Sequence, residues 1–155
     1  MEDWKKDRIG ACVAGENPTL ILKMKSGFAV MADNQFLPGY CILLRYPIVN
    51  SLEELSWEER NQYLLDTTLI GDAIQAVCKP RRINYSTLMN KDSFLHTHIE
   101  ARYEWEPDAY KFRPSWTYPE AERYAEKHAF CPEKHGKLQW ELAQRLRELM
   151  ARNAY

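Results

Sequence analysis

A chain of 155 residues, 45% apolar and 28% charged, can form one domain around a continuous core and is too apolar to be disordered. Its 21 Lys and Arg against 22 Asp and Glu leave a net charge of −1; a nucleic-acid partner calls for a basic surplus, so none is expected and any phosphate contact must come from a local site. No apolar run approaches the roughly 20 residues of a membrane helix. The opening MEDWKKDRIG lacks the apolar stretch of a secretion signal, so no membrane partner is expected and the expected location is cytoplasmic.

Four cysteines, Cys12, Cys41, Cys78 and Cys131, are scattered without a CxxC pair, and nothing in the sequence supports disulfides. Residues 19–25 (TLILKMK) are β-rich and partly alternating, and Ser26-Gly27 turns them into a second strand at 28–32, which predicts a hairpin. A loop follows at 33–39 (DNQFLPG), then a buried strand at 40–46 (YCILLRY) closed by Pro47. Ser56 followed by Glu59 is a capping-box pattern. Apolar residues then recur at helical spacing from Tyr63 to Val77, and Pro80 stops a helix over 57–78. Its apolar face fits either core or an interface.

Strands are predicted at 82–89 and 94–102, with a polar turn at 90–93 between them. An aromatic, proline-marked connection leads to helices predicted at about 119–128 and 133–151, the second with a broad apolar face. The order of strands, helix, strands and helices predicts an α+β fold with a mainly antiparallel sheet.

The 94–102 strand (FLHTHIEAR) carries the chemistry. Alternation puts His96, His98, Glu100 and Arg102 on one face, opposite Leu95, Thr97, Ile99 and Ala101. One imidazole can attack phosphorus while its neighbour hydrogen-bonds a phosphoryl oxygen or assists the leaving group, and an arginine adds fixed charge for the same phosphate. The same pattern also suits a solvated sheet face.

Ile83-Asn84-Tyr85, Asn90, Leu95-His96-Thr97-His98-Ile99, Arg102-Tyr103 and Pro107, taken in order, resemble the signature of the histidine triad (HIT) proteins. Upstream, Cys12, Gly15-Glu16-Asn17-Pro18, Ala32-Asp33, Pro38-Gly39 and Leu52-Glu53-Glu54-Leu55 agree with it. The resemblance implies a single HIT-like domain over 1–155. Its core would span about 10–107, with one long helix after the third strand, and a C-terminal helical extension would follow at about 108–155. It implies a homodimer that binds a small-molecule nucleotide; no cofactor or metal is expected. The implied activity is hydrolysis or nucleotidyl transfer at the α-phosphate of a dinucleoside polyphosphate or nucleoside phosphoramidate, through a nucleotidyl-histidine. Loss of turnover with nucleotide binding kept is the alternative.

Phe94, His96 and His98 fall on the triad positions, which makes His96 the nucleophile and His98 its partner. By the same resemblance Asp33 holds the ribose and Asn84, Asn90 and Ser93 meet phosphate; Glu100 and Arg102, on the histidine face of the strand, are the further substrate-contact candidates. Phe94 stands where the family has its first histidine, Ile48 where many members have another, Ala101 where proline is usual, and Glu100 where an apolar residue is common. A second register, His96-x-His98-x-Glu100, would make His98 the nucleophile.

Other groups carry weaker signals. His128, Cys131 and His135 have spacing that could suit zinc but lack a fourth ligand. Trp105, Tyr110, Phe112, Trp116 and Tyr118 either pin the C-terminal extension to the sheet or wall a base site, where Phe28 and Phe36 compete with them. Lys79, Arg81 and Arg82 form a basic helix end.

Overall fold

In the computed structural model, which describes residues 3–152 and 155, five strands form one antiparallel sheet in the order β1-β2-β3-β5-β4. Residues 1, 2, 153 and 154 of the expected single domain lie outside the described residues. The strands are β1 (Leu20–Met24), β2 (Gly27–Met31), β3 (Cys41–Arg45), β4 (Arg82–Ser86) and β5 (His96–Arg102). The helices are α1 (Arg8–Ala14), α2 (Trp57–Cys78), the single turns α3 (Asp108–Lys111) and α4 (Glu120–Arg123), and α5 (Pro132–Arg152).

Helix α2 begins where the sequence says it should. The Ser56 side chain accepts the Glu59 N–H and the Glu59 carboxylate accepts the Ser56 N–H at 2.7 Å, closing the capping box. It ends at Lys79, in the left-handed region at φ 50°, just before Pro80. Tyr63, Ile70 and Ile74 of α2 and Leu142 and Leu146 of α5 join Leu43 and Ile99 of the sheet, and Leu95 just before β5, in one buried cluster. The C-terminal helix therefore completes the main core.

The expected apolar row behaves as expected: Leu95, Thr97, Ile99 and Ala101 are all buried under α2. Thr97 is held from behind by the Tyr63 hydroxyl at 2.7 Å and the Thr87 hydroxyl at 2.8 Å. Two expectations need correction. The helix predicted at 119–128 is two short turns, because the chain at 128–130 pairs instead with 33–35: Gln35 N–H donates to the His128 carbonyl and Phe130 N–H to the Asp33 carbonyl. The strand predicted at 82–89 leaves the sheet after Ser86.

Helix α1, which the sequence patterning does not announce, is capped by Asp7, whose carboxylate accepts the Gly10 N–H, and by Gly15 at φ 76°. Its Ile9 and Cys12 pack on Phe28, Val30 and Leu44, the face of the sheet opposite α2. Among the described residues no helix is long and apolar enough to cross a membrane.

Candidate active site

Strand pairing decides which side chains share the face under α1. Leu44 lies opposite His96 and Ile42 opposite His98 across β3–β5, while Ser86, Asn84 and Arg82 lie opposite His98, Glu100 and Arg102 across β4–β5. The polar row of β5 is more buried than a solvated face would be, because residues 110–118 lie over its far end. Tyr110 and Arg113 accept from Arg102 through their carbonyls, and Tyr118 donates to Glu106.

His96 and His98 line a cavity of about 380 Å³ with Val30, Ile42, Leu44 and Phe94 as apolar wall. Asp33, Asn90, Lys91 and Tyr124 line it as well. The two imidazoles are 5.0 Å apart between centroids at 74°. His96 Nδ1 is 2.7 Å from the Phe94 carbonyl oxygen. A carbonyl only accepts, so Nδ1 carries the proton and Nε2 presents its lone pair.

His98 is the reverse case. Its Nδ1 is 2.5 Å from the Tyr40 hydroxyl. Burial and the nearby Glu100 push the Tyr40 phenol well above its ordinary range, so it keeps its proton. When the phenol donates that proton to Nδ1, His98 carries its own hydrogen on Nε2. Burial first, and His96 second, lower the His98 pKa to about 4, so the ring is neutral at physiological pH.

Asp33 receives two bonds from Arg8 of α1, at 2.7 and 2.5 Å, a forked pair that leaves further lone pairs on each oxygen. The other candidates part company here. Asn84, Glu100 and Arg102 line a neighbouring cavity, and Ser93 is exposed and lines neither. Every N–H of Arg102 is occupied within the protein: it is paired with buried Glu106 at 2.8 Å and donates to Asn84, to the Arg113 carbonyl at 2.6 Å and to the Tyr110 carbonyl. It braces the 106–118 segment and does not point at the histidines' cavity.

Of the aromatic candidates, Tyr118 packs on Phe36 and stacks on Tyr110 at 4.4 Å, pinning the extension, while Phe28 packs on Tyr46. Trp105 stacks on Tyr103, and Phe112 and Trp116 line the second cavity. His135 Nδ1 accepts the Cys131 N–H at the start of α5, and among the described residues no three His, Cys, Asp or Glu side chains are grouped to hold a metal ion. Arg8, Tyr40, Lys91 and Tyr124 are site residues that the sequence did not mark. Only Tyr40, next to the third strand's start, had a position from which its reach could be guessed.

No family model matches the chain, and no curated protein does. Solved structures do. A histidine triad protein from Sinorhizobium meliloti is 21% identical, superposes with a TM-score of 0.66 and shares 83% of this chain and 87% of its own. A histidine triad protein from Bradyrhizobium japonicum is 18% identical at a TM-score of 0.69, over 82% and 89% of the two chains. A hypothetical histidine triad nucleotide-binding protein from Sulfolobus tokodaii is 15% identical at 0.69, over 92% and 93%. The chain has the fold of the histidine triad proteins.

Proposed function

We propose that this protein is a nucleotide hydrolase or nucleotidyl transferase that acts at the α-phosphate of a dinucleoside polyphosphate or a nucleoside phosphoramidate, with His96 as nucleophile. The observation that carries this reading is a pair of imidazoles 5.0 Å apart in one cavity, each with its Nδ1 engaged, His96 on the Phe94 carbonyl and His98 on the Tyr40 hydroxyl; in this reading His96 offers a lone pair at Nε2 and His98 a hydrogen. Attack by His96 Nε2 forms a P–N bond as the bond to the leaving group breaks with its electron pair. The His98 Nε2–H hydrogen-bonds the phosphoryl oxygen and the leaving atom; a nucleoside polyphosphate departs as its anion, whereas the amine of a phosphoramidate takes up a proton as it departs. Water then attacks phosphorus and the P–N bond breaks. The nucleotide leaves, the extra proton passes to solvent, and neutral His96 returns.

The same geometry favours the register with His96 as nucleophile. His98 has a phenol, not a backbone carbonyl, at its Nδ1, and Glu100 lines the other cavity. Phe94 does not remove the orienting contact, since its carbonyl makes it. In this reading Asp33 holds the ribose hydroxyls, Val30, Ile42 and Leu44 contact the base, and Asn90 and Lys91 meet phosphate.

The test is incubation with diadenosine polyphosphate and with adenosine phosphoramidate. The wild-type protein is expected to release adenosine monophosphate, and His96→Ala to lose at least about a thousandfold in turnover. Equal activity, or equal inertness, of the two proteins overturns His96 as nucleophile. Saturable binding of the mononucleotide without product would leave a nucleotide-binding protein that does not turn over.

A further inference from the structure

The sheet face that bears the histidines carries a second cavity, of about 630 Å³, sharing no lining residue with the first. It starts where the first one stops. Ser86, opposite His98, and Asn84, opposite Glu100, belong to its floor. Glu100 follows His98 on the same face of β5, about 7 Å further along the strand.

Its chemistry differs from that of the histidine cavity. Arg82 and Arg113 line it and make no ion pair among the described residues. Phe112 and Trp116 line it too, 73% and 52% exposed; the Arg81 guanidinium and the Lys111 ammonium sit over the Phe112 ring, which leaves Trp116 as the ring open for stacking. At the floor, Glu100 is only 5% exposed, and its Oε2 is buried without any hydrogen-bond partner. Burial raises the Glu100 carboxyl, against the pull of Ser115 and Arg102. Buried polar atoms are nearly always paired, so an unpaired one on a residue that lines a cavity points to a missing partner. Guanidinium groups for phosphate, an open ring for stacking and a buried group awaiting a hydrogen bond together form the recognition set of a phosphorylated ring compound.

Resting on the reading of His96 given above, we infer that this cavity receives the departing half of the substrate, a second nucleotide. Its phosphates run from His98 toward Arg82 and Arg113, and its base lies against Trp116. The bond that breaks joins the α-phosphorus on His96 to the bridging oxygen. The nucleoside polyphosphate leaves with both electrons, and the two guanidinium groups meet its charge. A dinucleoside polyphosphate fits this site, whereas the small amine of a phosphoramidate leaves it empty.

The test uses the full chain carrying His96→Gln, titrated calorimetrically with adenosine monophosphate and with diadenosine tetraphosphate. The dinucleotide is expected to bind at least about tenfold tighter, the effect of one stacked base and its phosphates. Arg113→Glu and Trp116→Ala, both in the exposed loop, should each remove part of that gain and together all of it, with mononucleotide affinity held within about twofold. If the mononucleotide binds but the dinucleotide binds no tighter, or if the gain survives both substitutions, the inference is wrong while the His96 reading stands. If neither ligand binds, the reading of the histidine cavity fails and takes the inference with it.

Discussion

Tyr40 reaches His98 from 58 residues away in the chain, and its single hydroxyl decides which ring nitrogen of His98 faces the cavity. Tyr40→Phe is expected to lower turnover by about tenfold to a hundredfold while mononucleotide affinity barely changes, since it removes orientation rather than contact. Phe94→His, which restores the usual triad residue, is expected to change turnover by less than about threefold, because the backbone carbonyl already holds the His96 proton. Steady-state kinetics on the two variants check both, and a large gain from Phe94→His would show that the side chain matters. Titration gives a third prediction. Burial, then His96, depress the folded-state His98 pKa to about 4 from 6.5, so the unfolded chain takes up this proton first. The stability contributed by the neutral ring is complete above about pH 6.5 and is lost as pH falls toward 4. Across that window wild type should lose on the order of 2–3 kcal/mol relative to His98→Gln. Parallel thermal melts of the two proteins from pH 7 to pH 4 would contradict it.

Elements with strong local signals were legible from sequence. Ser56, Glu59 and Pro80 bound α2, and the alternation of β5 separated the histidines from the row under α2. What escaped depends on partners distant in sequence. Helix α1 has seven residues and three buried ones, too few for a period to show, yet it delivers Arg8 to Asp33. Residues 119–128 carry helix formers, but the contacts of 128–130 with 33–35 override that preference. The candidate site was legible as a histidine pair with a carboxylate, Asp33. The division of β5 between two cavities was not, because it depends on how the later segment drapes over Arg102. The β1–β2 hairpin carries its own test. A Cβ built on Gly27 would lie 1.9 Å from the Leu44 carbonyl oxygen, a backbone atom that cannot swing aside. Gly27→Ala should therefore cost about 2–4 kcal/mol in chemical denaturation, while an effect under about 1 kcal/mol would mean that β2 and β3 can shift apart freely.

At the scale of the whole molecule, α2 shows two faces. One is core, and the other leaves Leu64 63% and Leu65 42% exposed. With the homodimer that the sequence resemblance implies, these are apolar groups a second copy would cover. Sedimentation is expected to give twice the chain mass for wild type and the single mass for Leu64→Glu. A single mass for wild type removes the dimer. The segment after residue 107 also does more than close the core through Leu142 and Leu146. It brings Tyr124 to the histidine cavity and Phe112, Arg113 and Trp116 to its neighbour. His96, His98, Tyr40 and Asp33 all lie upstream of it. On the function proposed above, drift in those later positions retunes which molecules are admitted while the histidines stay untouched, and grafting this tail between homologous chains should carry preference with it and leave the reaction behind.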